Sequence, residues 1–91
     1  MITRELHSSK YVERGDKPPL TLFYYILQND SEPYAYGAEI AMECDGVWRS
    51  AGVHDITTSE KRIAALVQKL NINSVTPCAL EDIVLDLLNK Y

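Results

Sequence analysis

The spacing of apolar residues changes once along this chain, from a period of two to a period of 3.6. Up to about residue 54 apolar side chains recur at every second position. Beyond residue 57 they recur at i, i+3, i+4 and i+7. A strand puts alternate side chains on opposite faces, and a helix gathers every third or fourth one into a stripe. The chain therefore reads as a run of antiparallel strands followed by two helices, an α+β architecture in which the helical stripes need a sheet to cover.

The strands are expected at about 2–12, 20–28, 34–44 and 47–54. The first is weak, with Ile2, Arg4 and Leu6 alternating against Thr3, Glu5 and His7. Residues 14–19 (Arg-Gly-Asp-Lys-Pro-Pro) read as a loop, because glycine permits positive φ and the prolines oppose helix. Residues 20–28 are apolar on both faces: Leu20, Leu22, Tyr24 and Ile26 on one, Phe23, Tyr25 and Leu27 on the other. That pattern belongs to a central strand. Asn29 to Pro33 forms the next connection. Asp45-Gly46 is a two-residue hairpin turn, since both residues tolerate the positive φ of a type I′ turn. This fixes the register: Cys44 faces Val47, Glu43 faces Trp48, Met42 faces Arg49, Ile40 faces Ala51 and Ala38 faces Val53. Arg49, on the apolar side near the tip, is expected to reach out to water.

Helices are expected at about 59–71 and 77–90. Thr57 and Glu60 match a capping box, with Thr58 or Ser59 as other possible caps. Ile63, Leu66, Val67 and Leu70 form the first stripe. Asn71 to Ser74 breaks the helix, and Thr76-Pro77 restarts it, because proline at the first helical position loses no hydrogen bond. Glu81 and Asp82 are expected to favour the positive end of the second helix. Leu80, Ile83, Val84, Leu87 and Leu88 form the second stripe.

Ninety-one residues, 46% hydrophobic and 24% charged, fit one globular domain over residues 1–91. The net charge of −4 is concentrated in residues 20–56, where one Arg stands against six Asp/Glu. No basic stripe is present to neutralise phosphates, so direct nucleic-acid binding is not expected, nor is docking to an anionic membrane. No apolar run approaches the ~20 residues of a membrane helix, and the start has neither a basic leader nor an apolar core. A cytoplasmic location follows as the expectation, with Cys44 and Cys78 as free thiols.

The stretches Tyr36-Gly37-Ala38-Glu39-Ile40, Asp55-Ile56-Thr57-Thr58, Val75-Thr76-Pro77 and Leu80-Glu81-Asp82-Ile83-Val84 resemble those of a family of small cytosolic proteins of unknown function from clostridial-type bacteria (Firmicutes). The likeness covers roughly residues 34–88. It implies an α+β fold and a bacterial origin, and it brings no activity or binding residue with it. Cys78 departs from the residue usual at its place in that family.

Chemistry is sparse. Cys78 falls at the second position of a helix, where free amide groups stabilise a thiolate, but a nucleophile also needs a base. His7 and His54 are the candidates, and no spacing puts either beside it. The same four residues, Cys44, Cys78, His7 and His54, lack the close pairs of a structural zinc site. His54-Asp55 reads better as a strand end and turn acid than as an oriented base. Glu39 and Glu43 share a strand face about 13 Å apart, too far for paired-carboxylate chemistry. No glycine-rich phosphate loop exists. No catalytic residue, cofactor or metal is assigned.

The register places Trp48 with Glu39 and Glu43, and Phe23 and Tyr25 are expected on the same side. If the helices cover the other side, this one is open or partly covered by the N-terminal segment. The sequence thus predicts a non-enzymatic interaction module that docks a protein partner, or a second copy in a homodimer, through Trp48, Glu39, Glu43, Phe23 and Tyr25. Two other readings are an acidic phage or mobile-element inhibitor of the anti-CRISPR kind, blocking a basic nuclease groove, and a thiol enzyme or redox sensor using Cys78 and His54.

Overall fold

A computed structural model describes residues 2–30 and 35–88, with the side chains of residues 87 and 88 excepted. The elements run β1 (Ile2–Arg14), β2 (Lys17–Asn29), β3 (Ala35–Cys44), β4 (Val47–Thr57), α1 (Glu60–Ile72) and α2 (Pro77–Leu88). The strands form one antiparallel sheet in the order β1-β2-β3-β4. Each expected element is present. Tyr34 and the 31–33 connection, like residues 89 and 90 of the second helix, lie outside the described residues.

The hairpin register is the expected one, from Cys44 opposite Val47 to Ala38 opposite Val53. Asp45 and Gly46 both take positive φ, 53° and 80°, as a type I′ turn requires. Arg49 is exposed.

Local expectations are corrected in four places. The loop at 14–19 shrinks to the turn Gly15-Asp16, and Pro18 and Pro19 belong to β2. Proline cannot donate to a ladder and is confined to strand edges and bulges. The pairing of β2 with β3 begins only at Leu20, and the ladder with β1 shifts register between Val12 and Arg14, so neither proline sits in a continuous ladder. Second, β4 does not stop at residue 54. It continues through a bulge to Thr57, with Asp55 at φ 54° inside the bulge. Third, the cap of α1 is Ser59, whose hydroxyl accepts from the Arg62 amide at 3.2 Å. Thr57 instead accepts from the Ser59 amide at 3.1 Å, steering the chain into the helix. Fourth, α1 runs through Ile72 rather than breaking at Asn71, and no acid lies in the first turn of α2, because Glu81 and Asp82 fall one turn too late.

The turn between the helices closes α1 with a Schellman motif. The Val75 amide donates to Leu70 O and the Ser74 amide to Asn71 O, both at 3.0 Å, with Ser74 at φ 52°. Val75 and Leu70 are both buried, supplying the apolar contact that accompanies this motif.

Both helices lie on one side of the sheet. Leu20, Leu22, Tyr24, Ala38 and Ile40 meet Ile63, Val67, Leu70, Val75, Leu80 and Val84 in one cluster. Each large side chain buried there contributes roughly 1.5–3 kcal/mol, which explains why the helices form against this sheet. Tyr24, fully buried, donates its hydroxyl to Val75 O at 3.0 Å. Burial pushes its pKa up to about 12. At the sheet edge, Lys10 donates to the carbonyls of Asn71 and Ile72 at 3.1 and 3.3 Å, a cation at the negative end of α1. Asn71 donates to Ser8 at 2.9 Å beside it.

Candidate functional site: the helix-free face of the sheet

The pairings define five cross-strand rows on the side away from the helices. They are Ile2–Asn29–Ala35, Arg4–Leu27–Gly37, Leu6–Tyr25–Glu39–Gly52, Ser9–Phe23–Ala41–Ser50 and Tyr11–Thr21–Glu43–Trp48. All five residues expected to form the site, Trp48, Glu39, Glu43, Phe23 and Tyr25, fall in three adjacent rows.

Trp48 is 61% exposed. Its indole nonetheless has a fixed seat. Ala41 leaves room between β2 and β4, and the ring leans across it onto Phe23, with centroids 5.6 Å apart and planes 26° from parallel. Such stacks add about 0.5–1.5 kcal/mol beyond area burial.

The N-terminal segment does not cover this face. It enlarges it. β1 joins the sheet as an edge strand and contributes Ile2, Leu6 and Tyr11, exposed by 51%, 52% and 57%. A bulge between Leu6 and Ser8 inserts His7 and brings Ser9 and Tyr11 onto the same side as Leu6. The alternation of Ile2, Arg4 and Leu6 hints at this, but nothing in the sequence marks the bulge.

Sequence reasoning missed Arg4 as a site residue. Its guanidinium lies 4.2 Å over the Tyr25 ring and donates to the Glu39 carboxylate at 2.8 Å. Glu43 turns toward the hairpin tip and accepts from the Gly46 amide at 2.8 Å. Both acids of the site are therefore engaged within the chain, and the face is less acidic than its sequence suggests. An exposed pair of this kind contributes about 0–1 kcal/mol to stability. Its larger effect is to cancel one of the two negative charges of the face, leaving that of Glu43.

The other candidates remain apart from this face. Cys78 is exposed at the start of α2, where its Sγ lies 3.3 Å from Thr76 Oγ1. His54 is exposed within the β4 bulge, and His7 Nδ1 lies 3.0 Å from Ser8 Oγ. Cys44 accepts from Arg14 Nη2 at 3.1 Å. Both cysteines are free. Among the described residues no three His, Cys, Asp or Glu side chains are grouped to hold a metal ion, and no helix is long and apolar enough to cross a membrane.

No curated protein and no solved structure matches the chain. A family model does, over residues 3–90. The match extends the likeness seen at 34–88 through β1 and β2, and so takes in every residue of the five rows but Ile2. The chain belongs to the family of unknown function DUF6514.

Proposed function

We propose that this chain is a non-enzymatic interaction module of the bacterial cytoplasm, in a clostridial-type cell, that docks a protein through the helix-free face of its sheet. The observation that carries the reading is the Trp48 indole, exposed to solvent yet held against Phe23. Tryptophan is prominent among residues that dominate binding energy, and an anchor already fixed in place loses little freedom on docking. Ile2, Leu6, Tyr11 and Tyr25 extend the apolar surface across the sheet, and exposed apolar patches of this breadth mark interaction sites.

Glu39 is held by Arg4 and Glu43 by the Gly46 amide, which favours apolar docking over charge mimicry. The anti-CRISPR-like reading rests on size and on the net charge of −4. It calls for competition with nucleic acid at a basic nuclease groove, in a manner that fades with salt.

The test of docking is replacement of Trp48 and Phe23 by serine. The variant should keep the far-ultraviolet circular dichroism of the parent and lose association in affinity capture. Association that survives the double change would remove this face from consideration.

A further inference from the structure

Building on the docking reading, we propose that the occupant of the bare face is a second copy of this chain, packed sheet on sheet about a two-fold axis. Four observations support a copy of itself as the partner.

The first is the pattern of the face. Antiparallel sheets that face water on one side alternate apolar and polar residues, with the polar set outward. Here the outward set includes Ile2, Leu6, Tyr11, Phe23, Tyr25 and Trp48. With Leu27, large apolar side chains hold seven of its eighteen positions, beside Arg4, Glu39 and Glu43.

The second is charge. A two-fold contact sets a surface against itself, so unpaired charge on it would repel its own image. Within the five rows the charged residues are Arg4, Glu39 and Glu43. Arg4 and Glu39 neutralise each other at 2.8 Å, and the one charge left over, Glu43, turns to the Gly46 amide at the hairpin tip. A foreign partner recognised through charge would find little here to steer it.

The third is area. Three rows of four residues and two rows of three, spaced about 6.7 Å along and about 4.8 Å across the strands, span roughly 580 Å² before the relief of the side chains is counted, with Leu27, Gly37 and Ala41 already buried within that span. Stable interfaces take about 600–1,000 Å² from each partner. The molecule measures 46 × 29 × 18 Å, a slab one sheet and one helical layer thick. Two slabs joined by their bare faces make a four-layered particle with the helices outermost.

The fourth is that the edges are unsuited to strand addition. β1 is bulged at His7 and carries Arg4, Glu5, Lys10, Glu13 and Arg14, while β4 is bulged around Asp55. Charges and bulges blunt edge pairing, which leaves the face as the associating surface.

The experiment is sedimentation velocity on the intact chain across a dilution series, read together with tryptophan emission, since the chain has one tryptophan. A particle of twice 10.3 kDa is expected, with Trp48 emission moving to the blue as the dimer forms. Trp48→Glu, and separately Leu6→Glu, should weaken association by about 30-fold or more with unchanged circular dichroism. Leu85→Lys, at a position 53% exposed on α2, should leave the dimer intact. A parent chain that stays at 10.3 kDa at about 0.2 mM, where weak complexes form, overturns the second-copy proposal. The docking reading then still stands if the immobilised chain retains a different protein that Trp48→Glu releases. A dimer indifferent to both Trp48→Glu and Leu6→Glu joins through another surface and likewise overturns the second-copy proposal, while the docking reading falls only if capture of a partner also survives Trp48→Glu.

Discussion

At Gly37, β3 passes the β4 bulge so closely that a Cβ would lie 2.3 Å from Val53 O and 2.9 Å from His54 Cα. Both neighbours are backbone and cannot swing aside. Gly37→Ala should cost about 3 kcal/mol, measurable as a lowered midpoint in urea. Gly46 is glycine for another reason. Nothing lies within 4 Å of its would-be Cβ, but its φ is 80°, so alanine there should cost only about 1 kcal/mol. Equal losses at the two positions would count against this account of the bulge. Tyr24 supplies a pH test. Its pKa stands at about 12, above the ordinary tyrosine value of 10.0. Between those two values the unfolded chain has released the phenolic proton while the folded chain keeps it, so the unfolded state binds fewer protons. Stability from this group is therefore complete below pH 10 and declines as pH rises toward 12. In Tyr24→Phe that share of the alkaline decline should vanish. The variant should also lose about 1–2 kcal/mol at neutral pH, because Val75 O loses its buried donor.

At the scale of elements, what the sequence discloses depends on whether one signal or several compete. Asp45-Gly46 offers one solution: both residues accept positive φ, and the flanking alternation agrees with the register it imposes. Around Gly15 there are several turn formers in a row. Pro18 and Pro19 read as loop because proline rarely belongs inside a sheet, and only the late start of the β2–β3 ladder at Leu20 makes them acceptable in β2. Bulges leave no such signature. The one at His7 decides that Ser9 and Tyr11 join Leu6 on the site's side, so the sequence alone does not mark Tyr11 as a site residue. Trp48, Glu39 and Glu43 are legible because the hairpin alone determines their side. The acid partners are illegible for a related reason. Arg4 lies 35 positions from Glu39, and the partner of Glu43 is a backbone amide. The helix ends offer an element-scale test. Ser74 closes α1 at φ 52°, where a side chain costs roughly 1–2 kcal/mol that glycine avoids. Glycine's greater freedom in the unfolded chain offsets about half of that. Ser74→Gly should stabilise the fold by about 0.5–1 kcal/mol and raise the Tm by about 3–6 °C. An unchanged or lower Tm would mean that the Ser74 side chain contributes something the backbone geometry does not reveal.

At the scale of the whole molecule, one side of the sheet is sealed by helices and the other is bare, and both properties reside in the same four strands. On the docking proposal, folding and association are thereby assigned to alternate residues of a single segment. Along β2, Leu20, Leu22 and Tyr24 are buried under the helices, while Thr21, Phe23 and Tyr25 face away. A library of single substitutions across this strand, sorted first for soluble expression and then for growth of a host that depends on the protein, should separate the two roles. Over residues 20–25 the expression sort should reject polar changes at the even positions and largely accept them at the odd ones. The growth sort should then turn against the odd positions as well, and that second stripe would outline, whatever the partner proves to be, the footprint on which natural selection has acted.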